Sequence, residues 1–340
     1  MFNTLVVDVP RDFERLQRHY KRLAVNLPGK LSFVGNRELG ALVSRWCEAE
    51  GDLISWIDED NIIPFDEVHS CMEERLKTLL KGQELPRGVT GWYYQQFLKM
   101  QYARGCADDY YLVWDGDTIP CRRIEMFQEK SGKPYFDLKA ELHEGYFETL
   151  SRLFPGMRKV IAKSFISEHM LFKTDIMNEM LDEMEKNKEL QGDVFWKKII
   201  NAIPIERIQE SDFSEFETYG TYTAIRHMES YALREWHSFR LAGAFFDPET
   251  ISERDFNWLG KDFDAISFEK GHYVREDTKI CLIIRVIRKS LVRDKCLKAY
   301  RICLTEDMLK YGGNQTVYII KPDLFKTGSA NSLADWLKWK

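Results

Sequence analysis

The chain has 340 residues and a formal net charge of −5, with 44% hydrophobic residues. The length exceeds that of an ordinary single domain, so we expect either one large domain with an appendage or two modest domains. The hydrophobic content excludes a largely disordered protein, and the negative net charge argues against a general nucleic-acid binder.

Cysteine usage and hydropathy indicate a cytoplasmic protein. The seven cysteines are scattered and include no C-x-x-C pair, which favours reduced thiols over a disulfide framework. Met1 leads directly into a strand-like run, so no secretory signal is predicted, and no apolar stretch is long enough to span a bilayer.

The first half of the sequence alternates short apolar segments with helix-like segments. In chain order, strands are predicted at 4–7, 30–34, 53–57 and 110–114, with helices at 12–27, 38–48 and 91–103 between them. A strand at 164–172 follows, and then helices at 175–188, 195–203 and from 214 onward. This alternation predicts an α/β sandwich with a mainly parallel central sheet covered by helices on both faces.

Polar side chains follow four of the predicted strands. They are Asp8, Asn36, Asp58 and Asp115. In sheets of this class, ligands bind beyond the carboxyl ends of the strands. We therefore expect these side chains to line one edge of the sheet, with Asp8, Asn36 and Asp115 in contact with the ligand.

The sequence Asp115-Gly-Asp117 directly follows the apolar strand at 110–114. Its two carboxylates suit a hard divalent cation, because Mg²⁺ and Mn²⁺ prefer oxygen ligands and often combine one or two carboxylates with substrate phosphates. Acidic turns are also common in proteins without any metal. The position after a buried strand favours the metal site.

Three segments resemble those of bacterial GT-A glycosyltransferases of the polysaccharide-biosynthesis type. They are Gly91-Trp-Tyr-Tyr-Gln-Gln-Phe-Leu-Lys99, the strand leading into Asp115-Gly-Asp117, and Ser214-Glu-Phe-Glu-Thr-Tyr-Gly220. The resemblance covers about residues 4–245. It implies a GT-A-like αβα sandwich that binds Mn²⁺ or Mg²⁺ and transfers a sugar from a nucleotide-sugar donor, such as a UDP-sugar, to a glycan or lipid-linked acceptor. The implied activity is that of a hexosyltransferase-like enzyme in cell-surface polysaccharide synthesis.

The resemblance also suggests roles for several polar side chains. Gln96 and Lys99 lie on one face of a predicted helix and would face the donor, although a solvated helix edge is an alternative. Arg234 would contact the diphosphate, or else form a surface ion pair. Residues expected near the acceptor or the sugar are His143, Glu168 and His169. A C-terminal histidine often completes such metal sites, and His272 is favoured over His237.

The segment beginning at Ser214 has two interpretations. Ser214 and Glu217 match a capping box, in which both side chains bond backbone amides at a helix start, and Glu215 would then be the freer carboxylate. Alternatively, Glu215 or Glu217 acts as the general base of an inverting transfer, an effect of roughly 10²–10⁴ in rate. The sequence leaves the choice of glutamate open.

The C-terminal part of the chain becomes basic after about residue 275. We predict a catalytic domain at 1–275 and a helical extension at 276–340, with basic and apolar residues at helical spacing over 279–301. Such a helix suits the anionic inner face of a membrane, where a lipid-linked acceptor would reside, or else packs its apolar side on protein.

Two other functions are compatible with a metal-binding α/β fold. A sugar nucleotidyltransferase would usually carry a glycine-rich, basic phosphate loop near the first strand, and Val9-Pro-Arg11 is a poor substitute for one. A non-catalytic carbohydrate-binding scaffold would use the many aromatic side chains. The intact set of acidic residues disfavours that alternative.

Overall fold

The computed structural model describes residues 2–140 and 143–269, and the chain divides into two compact units. The first unit comprises residues up to Phe239 together with Ser252–Ile266. The described part of the second comprises Arg240–Ile251 and residues 267–269. His272, the basic segment and the predicted domain boundary at 275 lie outside the described residues, so these predictions stay open.

The strands and helices follow one another as the sequence pattern indicates. The strands are β1 (Asn3–Val7), β2 (Lys30–Gly35), β3 (Ile54–Asp58), β4 (Tyr110–Trp114), β5 (Thr118–Pro120), β6 (Tyr135–Leu138), β7 (His169–Lys173), β8 (Ala232–Glu235), β9 (Ser238–Phe239) and β10 (Ala265–Ser267). The helices are α1 (Pro10–Leu16), α2 (Tyr20–Asn26), α3 (Arg37–Glu50), α4 (Phe65–Leu80), α5 (Arg87–Gln101), α6 (Glu144–Leu153), α7 (Thr174–Lys186), α8 (Phe195–Ala202), α9 (Glu215–Arg226) and α10 (Glu253–Leu259).

Five strands form the central sheet in the order β3-β2-β1-β4-β7. The first four are parallel to one another, and β7 runs antiparallel to β4. The predicted α/β class, with a mainly parallel sheet flanked by helices, is confirmed. Residues Tyr111 to Trp114 of strand β4 are fully buried. This burial agrees with the apolar sequence of the strand, which is expected when both faces of a sheet are covered.

Two elements differ from the sequence prediction. The helix predicted at 12–27 is interrupted by a 3₁₀ turn at Gln17–His19, where the carbonyl of Gln17 accepts a hydrogen bond from Trp46 Nε1 (3.0 Å). The strand predicted at 164–172 begins only at His169, because Glu168 has φ of 61° and ends the extended conformation before it. The elements for which no prediction was made are α4, α6, α10, β5, β6, β8, β9 and β10.

None of the helices in the described ranges is both long and apolar enough to cross a membrane. The predicted cytoplasmic location and membrane contact remain predictions.

Candidate functional site

The carboxyl ends of β1 and β4 lie side by side at the centre of the sheet. The two strands are paired in parallel, with Thr4 opposite Leu112 and Leu5 opposite Val113. The chain leaves β1 toward β2 on one side and returns to β4 on the other, so the direction of strand order reverses here. Ligands of open α/β sheets bind at such a switch point, and Asp8 and Asp115 are the residues that follow the two strands.

Gly116 allows the Asp115–Asp117 turn to lie against Asp8. A Cβ atom on Gly116 would lie only 2.9 Å from Val6 Cγ1 and 3.3 Å from Asp8 Oδ2, closer than side-chain atoms normally approach. Asp8 accepts hydrogen bonds from the amide of Val9 (2.8 Å) and from the hydroxyl of Tyr20 (3.3 Å). The glycine of the motif is therefore explained by close packing between the two strand ends.

The acidic residues at this edge influence one another. Burial raises the pKa of Asp8 to about 7, and the nearby carboxylates of Asp12 and Asp117 add to the shift, against the hydrogen bonds from Val9 and Tyr20. A carboxyl group with a raised pKa among like charges is characteristic of a place where a cation is favourable.

A buried lysine joins Asp115 to the start of α9. The ammonium group of Lys99 lies 2.8 Å from Asp115 Oδ1 and 2.8 Å from Glu215 Oε1. Lys99 is 2% exposed and Glu215 4%. Burial alone would lower the pKa of Lys99, but the two carboxylates outweigh it and raise the pKa above its usual range. The lysine is therefore a fixed positive charge next to the Asp115 carboxylate.

The environment of Glu215 differs from the prediction that it is the freer carboxylate. Burial raises its pKa, and the charge of Lys99 opposes that shift. The backbone amide of Glu215 donates to Gln96 Oε1 (3.1 Å), and Gln96 Nε2 donates to the carbonyl of Trp92 (3.2 Å). Gln96 and Lys99, predicted to face the donor, are both buried and connect α5 to the first turn of α9.

Only half of the predicted capping box forms at the start of α9. Ser214 Oγ accepts a hydrogen bond from the amide of Glu217 (3.2 Å). The carboxylate of Glu217 turns instead to the preceding loop, where its Oε2 accepts from Ser164 Oγ (2.6 Å) and from the amide of Phe165 (3.1 Å). Burial raises the pKa of Glu217. Glu217 thus fixes the loop before β7 against α9.

Glu168 and His169 lie beside Asp115 but are engaged in internal contacts. The amide of Asp115 donates to the carbonyl of Glu168 (2.9 Å). The Glu168 carboxylate accepts from Lys139 Nζ (2.6 Å) and Trp236 Nε1 (2.8 Å). His169 stacks on Trp114 with ring centroids 4.7 Å apart. Both residues are buried, so they support the strand end that carries Asp115.

Arg234 is bound to an aspartate that the sequence analysis overlooked. Its Nε and one terminal nitrogen lie 2.6 and 2.7 Å from the two oxygens of Asp137, and His169 Nε2 lies 2.9 Å from the same carboxylate. Burial would raise the pKa of Asp137, but Arg234 and His169 hold it below its usual value. The other terminal nitrogen of Arg234 donates to the carbonyl of Glu125 (2.7 Å), so all three nitrogens are already engaged, and the diphosphate contact stays a prediction.

The remaining predicted residues occupy separate positions. Asn36 caps α3, with Oδ1 accepting from the amide of Leu39 (3.0 Å). Asp117 is half-buried and accepts from Thr118 Oγ1 (3.2 Å). His143 precedes α6 and bonds Asp212. The sequence analysis also overlooked Asp212. Its one signal in the sequence is that it lies just before the motif at Ser214.

The described residues offer a divalent cation two neighbouring carboxylates. Within residues 2–140 and 143–269, no three His, Cys, Asp or Glu side chains are grouped as a metal site. The Asp115 side chain is one-third exposed, and Lys99 contacts it through Oδ1. This donor set fits Mg²⁺ or Mn²⁺ when phosphate and water oxygens supply the other ligands.

Glu59, just after β3, allows a test of electrostatics at the same sheet edge. Burial raises the pKa of Glu59 to about 7, with Asp60 and Asp58 adding and Arg87 opposing. The folded state thus binds this proton more tightly than the unfolded state. The stability that this proton contributes to the fold is fully present below the pKa that Glu59 has in the unfolded chain. It is lost as the pH rises through about 7. We expect Glu59→Gln to raise the free energy of unfolding at pH 8 by on the order of 1 kcal/mol, a value reduced by solvent screening.

Urea denaturation at pH 4 and pH 8 measures this effect. At pH 4, below the ordinary pKa of a glutamate, the variant and the wild type should have nearly equal stability. The exposed Glu84, between α4 and α5, provides the matched control, since Glu84→Gln should change stability little at either pH. An equal gain for Glu59→Gln at both pH values would contradict the electrostatic explanation.

Comparison with known families supplies the classification. The model of a family of unknown function, DUF6492, matches residues 34–291, which include the Asp115–Asp117 turn and the start of α9. The chain belongs to DUF6492. No match was found among curated proteins.

Two solved structures show a distant likeness to this DUF6492 chain. Mouse xyloside xylosyltransferase 1, in its apo form, has 10% sequence identity and a TM-score of 0.39, covering 81% of this chain and 99% of its own. The galactosyltransferase LgtC, in complex with donor and acceptor sugar analogues, has 12% identity and a TM-score of 0.37, covering 91% of this chain and 99% of its own. Residue roles in the DUF6492 chain are therefore argued from its own contacts.

Proposed function

We propose that this protein is a glycosyltransferase that moves a sugar from a nucleotide-sugar donor, such as a UDP-sugar, to a glycan or lipid-linked acceptor in cell-surface polysaccharide synthesis. The observation that carries the proposal is the set of acidic residues at the switch point of the sheet, where Asp8 adjoins the Asp115–Asp117 turn. The sequence resemblance to GT-A glycosyltransferases supports it independently.

Asp115 and Asp117 are the proposed ligands of Mn²⁺ or Mg²⁺. When bound, such an ion supplies positive charge that stabilises the diphosphate leaving group. Asp8 and Asn36, after the two neighbouring strands, would bind the nucleoside. Lys99 holds one oxygen of Asp115 and so directs the other toward the ligand.

The role of general base was predicted for Glu215 or Glu217. Glu215 pairs with Lys99 and Glu217 holds the loop at Ser164 and Phe165. These contacts favour positioning roles for both glutamates, with Glu215 fixing Lys99 and Glu217 fixing the approach of the loop to α9.

Ligand-dependent stabilisation tests the proposed donor site. Thermal unfolding with UDP and Mn²⁺ together should give a higher Tm than with either alone, by an amount that corresponds to about 2.7 kcal/mol at a hundredfold excess over Kd. Asp117→Asn should abolish the metal-dependent part of the shift. Asp66→Asn, at an exposed position on α4, is the matched control and should keep it.

Turnover distinguishes transfer from binding alone. Incubation with UDP-glucose, UDP-galactose, UDP-N-acetylglucosamine and GDP-mannose should release free nucleoside diphosphate from at least one of them. Pyrophosphate formation from a sugar phosphate and a nucleoside triphosphate would instead identify a nucleotidyltransferase. Equal stabilisation of wild type and Asp117→Asn by UDP with Mn²⁺ would refute the assignment of the metal ligands.

A further inference from the structure

The loops before α6 and α9 bring a histidine and an aspartate together. His143 Nε2 lies 2.7 Å from Asp212 Oδ1. The Asp212 side chain is 1% exposed, whereas that of His143 is 44% exposed. The pair therefore combines a buried carboxylate with an imidazole ring that solvent reaches.

Asp212 is held in place from several sides. Arg207 Nε lies 2.7 Å from its second oxygen, and its carbonyl accepts a hydrogen bond from Thr149 Oγ1 (2.7 Å). A side chain at Gly145 would overlap the Asp212 carboxylate, so a glycine is needed there. An ion pair on the solvent-exposed surface would not require this many contacts to hold its carboxylate in place.

The hydrogen bond to Asp212 determines which ring nitrogen can take a proton. A carboxylate only accepts hydrogen bonds, so Nε2 carries the hydrogen in the neutral ring and Nδ1 keeps its lone pair. Among the described residues, no group is bonded to Nδ1. A fixed carboxylate behind an imidazole orients the ring and stabilises the imidazolium that forms on protonation.

Chain connectivity limits the distance between the pair and the acidic edge of the sheet. Asp212 precedes Glu215 by three residues, a distance of at most about 11 Å along an extended chain. Lys139, which bonds Glu168 beside Asp115, precedes His143 by four residues, or at most about 14 Å. One connection leads to Glu215, and the other leads through Glu168 to the backbone amide of Asp115.

We propose that His143 is the general base of the transfer, positioned by Asp212. This inference rests on the proposed glycosyltransferase function. The acceptor hydroxyl oxygen forms a bond to the anomeric carbon as the bond to the diphosphate oxygen breaks, and the leaving diphosphate keeps that electron pair. The hydroxyl proton passes to His143 Nδ1 and then to solvent. A single displacement of this kind inverts the anomeric configuration.

Several titratable and charged groups surround His143. Arg207 also approaches Glu148 and Glu210, and the ring of Tyr146 lies 4.4 Å from the His143 ring. The titratable and charged groups of the surrounding elements are Tyr93, Glu144, Tyr146, Glu148, Arg207, Glu210 and Asp212. Asp212 is the negative charge bonded directly to the ring.

Kinetics of three variants test the proposal, with the sugar nucleotide from the panel above that the wild type turns over fastest. We expect His143→Gln to lower kcat by about 10²–10⁴ while its thermal shift with UDP and Mn²⁺ stays as in wild type. We expect Asp212→Asn to lower kcat while KM for the donor stays within about twofold, because the substitution loosens the base without removing a contact to the donor.

A second histidine–carboxylate pair provides the matched control. His227 at the other end of α9 bonds Glu179 and is also partly exposed, so His227→Gln should leave kcat within about twofold. Activity of His143→Gln within threefold of wild type would overturn the proposal, as would an unchanged kcat in Asp212→Asn. Absence of both nucleotide release and UDP–Mn²⁺ stabilisation in wild type would overturn the proposed function itself, and this inference with it.

Discussion

Lys99→Met is expected to lower the free energy of unfolding by about 3–5 kcal/mol, because it leaves buried acids without their cation. In the wild type, one ammonium group forms ion pairs with both Asp115 and the buried Glu215. Methionine matches the length of the lysine stem but supplies neither charge nor hydrogen bonds. Urea denaturation of the two proteins at pH 8 measures the difference.

The pH dependence of this loss identifies its cause. Without Lys99, the pKa of Glu215 should rise further above its unfolded value, so its ionisation destabilises the fold progressively as the pH rises. The loss should therefore be smaller at pH 5 than at pH 8, and Glu215→Gln should partly restore the stability of Lys99→Met. Lys77→Met is the control, since Lys77 pairs with Glu74 on the exposed surface of α4 and should change stability by less than about 0.5 kcal/mol. An equal loss at both pH values would contradict the electrostatic origin.

Gly220→Ala is expected to destabilise the protein by about 1–3 kcal/mol or more, although alanine normally favours a helix. Gly220 lies in the middle of α9, and an added methyl group there would overlap the ring of Phe165. The same loop segment is bonded to Glu217 through Ser164 and the amide of Phe165. The glycine therefore allows α9 to approach the loop that leads into β7.

A substitution at a second helical glycine distinguishes the effect of steric overlap from the effect of helix propensity on stability. Gly91 lies within α5 with open space around it, so Gly91→Ala should stabilise the protein by up to about 1 kcal/mol. Shortening the ring with Phe165→Leu should offset part of the loss in the Gly220→Ala background, because contacting sites couple. Stabilisation by Gly220→Ala, or strict additivity with Phe165→Leu, would rule out the overlap.

The periodicity of the sequence was sufficient to predict the central sheet. Runs of apolar residues ending in Asp8 or Asp115 mark buried parallel strands whose carboxyl ends share an edge. The break at Glu168 was not predictable, because a glutamate in the left-handed region leaves no trace in hydrophobic periodicity. The tertiary hydrogen bonds of its carboxylate compensate for this conformation, and these partners lie far away in sequence.

The candidate site was predictable only in part, for a related reason. The Asp115–Asp117 motif is local, and its position after a strand is visible in the sequence. Whether Gln96 and Lys99 face a ligand or the protein depends on where α9 packs, and sequence spacing carries no information on that. Asp137 and Asp212 were missed because each acts through a partner about 70–100 residues away.

The Asp115–Lys99–Glu215 network also bears on the order in which the protein matures during synthesis. Its third member emerges from the ribosome 100 residues after Asp115, and until then the lysine lacks one of its two acidic partners. Domains generally fold as units during synthesis, and contacts so distant in sequence form slowly. A nascent chain that stops before α9 thus carries the five strands of the central sheet with Lys99 paired to Asp115 alone. The acidic edge of the sheet is therefore completed only when α9 has been synthesised, and we expect products that lack α9 to be less stable and more readily proteolysed than the whole chain.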